Sequence, residues 1–453
     1  MVGFLGEIEE NCGVFGLWGN GECAKKIHGA LHFLQHRGQQ YCGIATSDGK
    51  GVFIQSHKGL VDPTFTREDF EQLKGNFGIG HVSLRDRQPM TLRSRLGDFA
   101  ICFNGNIGNA AELIELLKRQ GHSFWLDSQV ELLAKLIARE DSFLGGLASI
   151  RKRVDGSYSL LILTPEGIIA ARDACGFKPM VLGKNNREYA VSSESRALQN
   201  LGFEIERDVK PGEVVKISEK GFATLDLFES GRKAHCAFEW AYTASVDSII
   251  DGMPVDRARN NMGAMLAKRD KGKFKADIVA PVPNSGIGHA EGYHAESKVP
   301  LKSVFMIDRY GDRSYTQATQ DERDSMARKK LSVIRDAVKG KRIVLCDDSI
   351  VRGTQIREKV RELKKAGAKE VHVRIAVPPL MYPCKYGIST RKYEELIARR
   401  MPVEEICRHL GADSLEYNSL EDLVKAIGKK KEELCLYCWD GISPIAEKQK
   451  KII

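Results

Sequence analysis

Apolar and polar positions change rhythm once along this chain. From residue 12 to about 230, short apolar runs recur between glycine and polar turns. They are Gly13-Val-Phe-Gly-Leu-Trp18, Gly43-Ile-Ala45, Gly51-Val-Phe-Ile54, Phe99-Ala-Ile-Cys-Phe103 and Tyr158-Ser-Leu-Leu-Ile-Leu163. Further runs lie at Ile168 to Arg172, Met180 to Gly183 and Tyr189 to Ser192. All predict strands, with helical periods at Cys23–His36, Ala110–Arg119 and Ser128–Arg139. Short strands with glycine turns imply packed sheets rather than a doubly wound domain.

From about residue 255 strand and helix alternate. Asp277-Ile-Val-Ala-Pro-Val-Pro283 reads as a strand and Gly288–Ser297 as a helix. Lys302–Met306, Arg342–Cys346 and Glu370–Val377 are strands, and Gln355–Ala366 is a helix. This βαβ rhythm predicts a parallel sheet and an α/β class. Residues 231–254 bridge the halves, and the tail from 391 reads as helical and charged.

Bulk composition narrows the class. A chain of 453 residues has room for two or three domains. At 42% hydrophobic and 28% charged it has the balance of a globular protein. No run of about 18 apolar residues occurs, so no membrane partner is expected. The acidic start is too short for a secretory signal, so a cytoplasmic protein is expected. The formal charge of +9 is scattered, and Lys429-Lys430-Lys431 reads as a solvated helix end. Nucleic acid is therefore not expected as a partner, whereas a basic surplus suits polyanionic, nucleotide-like ligands. Eleven irregularly spaced cysteines argue against a disulfide scaffold.

The chemistry is most concentrated at Ile343-Val-Leu-Cys-Asp-Asp-Ser-Ile-Val-Arg-Gly-Thr354. An apolar strand runs into two carboxylates, then into a loop that opens a helix. Such a loop offers backbone N–H groups to phosphate, and the acids can face ribose hydroxyls or a magnesium ion. Val282-Pro-Asn-Ser285 with Gly286-Ile-Gly288 forms a second strand-to-helix turn, where a serine hydroxyl can touch a metal.

These residues resemble the type I phosphoribosyltransferases, which bind 5-phosphoribosyl pyrophosphate. The resemblance implies that Asp347 and Asp348 contact ribose, and that Ser349, Ile350, Val351, Arg352, Gly353 and Thr354 cradle the 5′-phosphate. Ser285, Asp347 and Asp348 become candidates for Mg²⁺, and Arg328 and Lys330 for a loop folding over the ligand.

A second resemblance lies in Glu9-Glu-Asn-Cys-Gly-Val-Phe-Gly16, Leu34-Gln-His-Arg-Gly-Gln39, Asn104-Gly-Asn106 and Asp127-Ser128. Together these look like the glutaminase domain of N-terminal nucleophile amidotransferases. Joined in this order, the two halves resemble glutamine phosphoribosylpyrophosphate amidotransferases along nearly the whole chain. The implied architecture is a propeptide at 1–11, an αββα glutaminase sandwich at 12–230 and a bridge at 231–254. A phosphoribosyltransferase domain with a parallel sheet at 255–390 and a helical tail at 391–453 follow. Cys12, exposed by removal of Met1–Asn11, would attack the glutamine amide. Its α-amine, with an ordinary pKa of about 7.7–8.0, would be the base. Asn104 and Gly105 would stabilise the oxyanion, Asp127 would hold the substrate amine, and Arg37 would sit beside the nucleophile.

The implied product is 5-phosphoribosylamine, at the first step of purine synthesis. Purine nucleotides are the expected inhibitors and a homotetramer the expected assembly. Some family members carry a structural [4Fe-4S] cluster on cysteines matching Cys236, Cys384, Cys435 and Cys438. The chain departs from the family in reading His81-Val-Ser-Leu84 for His-Val-Arg-Tyr, Phe103 for a histidine and Gln129 for a glutamate. Thr243-Ala-Ser-Val-Asp-Ser248 lacks the usual Arg-Pro, Asn284 replaces an aspartate and Ile307 a lysine. These departures define the alternative: a paralogue that binds phosphoribosyl pyrophosphate as a regulatory module, or uses free ammonia.

Overall fold

The computed structural model describes residues 12–445 except 20, 229–230, 308–330, 388–389 and 391. The expected propeptide at 1–11, and Arg328 and Lys330, lie outside the described residues.

Two antiparallel sheets form the amino-terminal half. One has seven strands, in the order Glu204–Asp208, Val181–Asn185, Glu188–Ser192, Gly13–Trp18, Phe77–Ser83, Tyr41–Ser47 and Val52–Lys58. The other has six, in the order Gly221–Leu227, Glu213–Ser218, Gly167–Arg172, Gly156–Thr164, Gly97–Ile107 and Met90–Ser94. Period-two alternation sorts their side chains. Val14, Ala45, Ile79, Ala100, Cys102, Leu161 and Ile168 fill the layer between the sheets. On the outer face of the first sheet, Ile27 and Leu31 of helix Cys23–Leu34 pack on Phe15, Leu17 and Ile44. On the second, helices Ala110–Arg119, Gln129–Ala138 and Phe143–Arg153 cover Phe99, Ile101 and Phe103. The result is the expected αββα sandwich.

Helix Ala110–Arg119 has the predicted bounds, and Ser128 caps the next one by accepting from Glu131 N–H. The first helix stops at Leu34, and Gln35–Arg37 tightens into a 3₁₀ turn that swings Arg37 inward.

The second half is built on a parallel sheet in the order Ile278–Pro281, Arg342–Asp347, Glu370–Ile375 and Ser414–Tyr417. Val344 and Cys346 face helices Val255–Asp270 and Ile287–Ser297, whereas Ile343 and Leu345 face helix Thr354–Lys365. Both faces are covered, so the strands read as continuous apolar runs. The fourth strand comes from the segment expected to be a helical tail. Lys302–Met306 was expected as a strand of this rhythm; only Phe305–Ile307 is extended, and it pairs antiparallel with Leu331–Val333. Among the described residues no helix is long and apolar enough to cross a membrane.

Candidate functional site

Cys12 precedes the central strand of the seven-stranded sheet and is buried. Its Sγ lies 3.6 Å from the Ser83 hydroxyl. Burial pushes the thiol up from its ordinary value. Arg37, fully buried, donates from Nε to the Cys12 carbonyl at 3.0 Å. The same guanidinium pairs with Glu194 and, through Nη2, with both Glu239 oxygens at 3.0 Å. Lys178 Nζ completes the set on Glu239 at 3.0 Å. Two buried cations thus meet two buried anions with satisfied hydrogen bonds, the condition under which buried charge is tolerated. Burial alone would raise the Glu194 carboxyl, but His36 and Arg37 more than reverse it and hold it low.

Arg37 and Ser83 stand out in the sequence, whereas Glu194, Glu239 and Lys178 do not. The signal was available: Phe177-Lys178 and Phe238-Glu239-Trp240 put a charge inside apolar surroundings, where only a paired charge survives.

Strand Gly97–Ile107 faces the nucleophile. Burial, and after it the neighbouring Cys12, hold the Cys102 thiol, two residues before Asn104, well above its ordinary value. Asn104 is fully buried, and neither its amide oxygen nor its nitrogen has a partner among the described residues. Such orphaned buried groups are rare and costly, and they mark sites where a ligand supplies the missing bond. A Cβ at Gly105 would stand 2.1 Å from the Ser157 carbonyl oxygen, so the neighbouring strands admit only glycine there. His81 Nε2 lies 3.0 Å from the Phe103 carbonyl oxygen, and burial pushes His81 down to about 3, leaving it neutral.

Asp127 is not gathered into this cluster. It takes φ +49°, its side chain is 57% exposed, and it pairs with Lys118 at 3.0 Å on the rim.

The acidic strand end forms where the sequence predicts it. Asp347 and Asp348 end the second strand of the parallel sheet, both buried. Ser285 donates to Asp347 Oδ1 at 2.7 Å, and Asp348 N–H donates to the same oxygen at 3.0 Å. Ser349 donates to Asp348. Burial, then the neighbouring Asp347 charge, pushes the Asp348 carboxyl up to about 8. Asp347 is raised too, chiefly by burial. Ile350 and Val351 sink their side chains into the core, which commits their backbone to the loop. Gly353 takes φ +79° at the N-cap of Thr354–Lys365, a turn that glycine makes without strain. Arg352 points outward to Glu395. The hard oxygens of Ser285, Asp347 and Asp348 are the donor set a magnesium ion prefers.

Four distant cysteines converge. Cys236 and Cys435 are register partners in a short parallel ladder. Cys438 donates toward Cys384, lowering that thiol to about 7 against the raising effect of burial. Burial raises Cys236 to about 11; the Cys435 thiol also sits high, chiefly through burial, and the Cys438 thiol sits high chiefly through its hydrogen bond to Cys384 and then burial. All eleven cysteines are free thiols. Among the described residues, no three or more His, Cys, Asp or Glu are placed to hold one metal ion. A [4Fe-4S] cluster takes each thiolate on a different iron, so its four sulfurs surround a larger body. The cysteine loop also touches the glutaminase half: Asn106 donates to the Lys385 carbonyl at 2.8 Å and Ser157 to the Tyr386 carbonyl at 2.6 Å.

The bridge joins the two sites. Glu239 opens a π-helical turn, Glu239–Thr243. Arg259 of the second half donates to the carbonyls of Trp240, Tyr242 and Ala244 at 2.9, 2.8 and 2.7 Å.

Residues 76–200 match a family model described as a glutamine amidotransferase domain, and residues 255–383 one described as a phosphoribosyl transferase domain. The chain is 39% identical to an amidophosphoribosyltransferase of Methanocaldococcus jannaschii, over 98% of this chain and 99% of that protein. It is 40% identical to one from Archaeoglobus fulgidus, over 96% and 98%. Among solved structures it resembles the glutamine phosphoribosylpyrophosphate amidotransferase of B. subtilis complexed with ADP and GMP. The TM-score is 0.90 at 38% identity, covering 98% of this chain and 99% of that one.

Proposed function

The chain belongs to the amidophosphoribosyltransferase family, and we propose that its residues divide the family reaction between two sites joined by the bridge. It transfers the amide nitrogen of glutamine to phosphoribosyl pyrophosphate, giving 5-phosphoribosylamine, the opening step of purine synthesis. The observation that carries the glutaminase assignment is the orphaned Asn104 amide beside a buried cysteine.

With residues 1–11 removed, the Cys12 α-amine takes the thiol proton, and the thiolate attacks the glutamine amide carbon. Asn104 Nδ2 and the Gly105 N–H receive the oxyanion. The amide nitrogen leaves as ammonia after taking a proton, and water then hydrolyses the thioester to glutamate. Arg37 fixes the Cys12 backbone through its carbonyl, while Asp127 at the rim holds the substrate ammonium. In the second site the loop 349–354 and the helix N-terminus hold the 5′-phosphate. Asp347 and Asp348 face the ribose, where positive charge develops as the pyrophosphate bond lengthens. Ammonia bonds to the ribose carbon, pyrophosphate departs, and one proton is lost. Mg²⁺, held by Ser285, Asp347 and Asp348, would neutralise the leaving pyrophosphate. Arg328 and Lys330 are assigned to the covering loop on the family pattern.

Phosphoribosylamine formation, measured with glutamine and then with ammonium, tests this reading. Activity with both is expected; activity with ammonium alone, or with neither, would establish the paralogue reading that Ser83 favours.

The acidic pair sets a pH dependence. A carboxyl raised above its ordinary value of about 3.9 makes the fold lose stability as pH rises from there to about 8, because the unfolded chain ionises first. A cation on the pair reverses this by driving the proton off. Binding of magnesium phosphoribosyl pyrophosphate at pH 7 is therefore expected to release protons and to tighten as pH rises toward 8. Calorimetry in two buffers of different ionisation heat reads this directly; a heat independent of buffer would contradict it.

Cys236, Cys384, Cys435 and Cys438 are assigned to a structural [4Fe-4S] cluster, supported by their convergence from three segments. Anaerobically prepared protein should contain iron and acid-labile sulfide in equal amounts and lose both in Cys435→Ser. A colourless, iron-free protein would remove the assignment. Free thiols throughout fit a reducing, cytoplasmic setting. Purine nucleotides as inhibitors and a homotetrameric assembly complete the proposal; the B. subtilis relative binds ADP and GMP.

A further inference from the structure

We propose that Ser83 is a catalytic residue whose hydroxyl donates to the Cys12 sulfur once that sulfur is a thiolate, an inference that rests on the glutaminase reading above. A buried thiolate is costly unless hydrogen-bond donors surround it. Attack on glutamine therefore needs more than a base to take the thiol proton. It also needs groups that hold the charge left on sulfur.

Such donors come from the end of strand Phe77–Ser83. Cys12 Sγ and Ser83 Oγ are hydrogen-bonded at 3.6 Å, and both residues are buried, Ser83 completely. The same oxygen accepts the N–H groups of Arg85 at 3.0 Å and Asp86 at 3.2 Å. A hydroxyl has two lone pairs and one proton. Two backbone donors engage the lone pairs, which leaves the proton and polarises it. While Cys12 is a thiol, its S–H can point at the oxygen. A thiolate has no proton and can only accept, so the Ser83 O–H turns to it. Burial acts most strongly on Cys12 and raises its thiol; the Ser83 hydroxyl, and then the Leu84 N–H, oppose it.

The charged and titratable groups nearby do not supply this hold. Arg37 reaches the Cys12 carbonyl rather than the sulfur, and Glu194 and Glu239 match its charge. His81 is neutral. The Cys102 thiol, on strand Gly97–Ile107, is itself held high and stays protonated. Asp86 and Arg85 act on the sulfur with opposite signs, the first raising the thiol and the second lowering it. The charge on sulfur thus rests on two uncharged donors from one strand end. Ser83 transfers no proton. The Cys12 α-amine takes the thiol proton, and the sulfur keeps the electron pair. The serine hydrogen bond is released as that pair enters the new carbon–sulfur bond. The balance favours catalysis. Lowering a thiol by about one pH unit gives about tenfold more thiolate at neutral pH and costs only about threefold in nucleophilicity.

The test uses the mature full-length enzyme as wild type, Ser83→Ala and Ser83→Thr. Ionisation of Cys12 is read from thiolate ultraviolet absorbance against pH. It is taken as the difference between each form and the same form carrying Cys12→Ala, which cancels the other cysteines. Catalysis is read from kcat/KM for glutamate release over the same pH range. Ammonium-dependent phosphoribosylamine formation, at the other site, checks that each variant is folded. In Ser83→Ala the ionisation midpoint should rise by about one pH unit, the size of one hydrogen bond to a charged group. Its kcat/KM should fall about threefold at pH 7, and the loss should close above both midpoints, where every Cys12 is ionised. Ser83→Thr keeps the hydroxyl and should keep the wild-type midpoint. An unmoved midpoint in Ser83→Ala, or a loss of equal size at every pH, overturns the role of Ser83 alone. A threonine variant with the midpoint of alanine does the same. A wild-type enzyme that releases no glutamate overturns the glutaminase reading and this inference with it.

Discussion

Replacing Cys12 by alanine is expected to abolish glutamine-dependent phosphoribosylamine formation, by at least about 10³-fold, and to leave the ammonium-dependent reaction intact. The size follows from chemistry. Cys12 supplies the nucleophile and, once the chain is processed, the base as well, so no second group can take over the attack. The specificity follows from geometry. The thiol lies at the end of the central strand of the amino-terminal sandwich, whereas Asp347 and Asp348 end a strand of the separate parallel sheet. Alanine removes one sulfur from a site where Arg37 grips only the backbone carbonyl, so the buried Arg37–Glu239–Lys178 set is left whole. Steady-state rates with the two nitrogen donors check this. Loss of both activities would mean that Cys12 supports the fold rather than the reaction.

Asp348→Asn is expected to do the reverse. Transfer from glutamine and from ammonium should both fall by about 10²-fold or more, while glutamate release in the absence of phosphoribosyl pyrophosphate persists. The carboxyl is buried beside Asp347 and raised to about 8, so its charged form is costly in the empty site and favoured only when a cation or a developing positive charge arrives. Asparagine keeps the shape and loses that response. A parallel measurement of bound magnesium should show weaker uptake in the variant. Equal loss of glutamate release would show instead that the change had spread through the bridge, where Arg259 holds the turn that begins at Glu239.

Much of this arrangement can be read from local sequence, and the limits are physical. The acidic strand was legible because an apolar run, two carboxylates and a glycine-opened helix are contiguous, and each constrains only its neighbours. The helix at Ala110–Arg119 was legible for the same reason. Strand Ser414–Tyr417 was not. Four residues of mixed character in a charged segment become a strand only because Glu370–Ile375 offers them an open sheet edge. The pairing of Phe305–Ile307 with Leu331–Val333 joins segments too far apart for any local pattern to record.

The sites divide in the same way. Cys12, Asn104, Gly105 and Arg37 sit in recognisable motifs, but the partners of Arg37 come from positions 178, 194 and 239 and become visible only when the sandwich closes. Asp127 lay in a motif too, yet the structure holds it at the rim against Lys118 rather than in the buried cluster. Four cysteines could be matched to a pattern, but nothing in their spacing foretold that the loop after Cys384 would be tied to Asn106, two residues from Asn104.

The central claim is that one chain makes ammonia at Cys12 and uses it at Asp347 and Asp348. It is tested most directly by giving the enzyme amide-¹⁵N glutamine with phosphoribosyl pyrophosphate in a pool of unlabelled ammonium. The account predicts phosphoribosylamine carrying ¹⁵N well above the label in the surrounding ammonium, and loss of that excess in Cys12→Ala. Product nitrogen that only matches the pool, with wild type and variant alike, would contradict it.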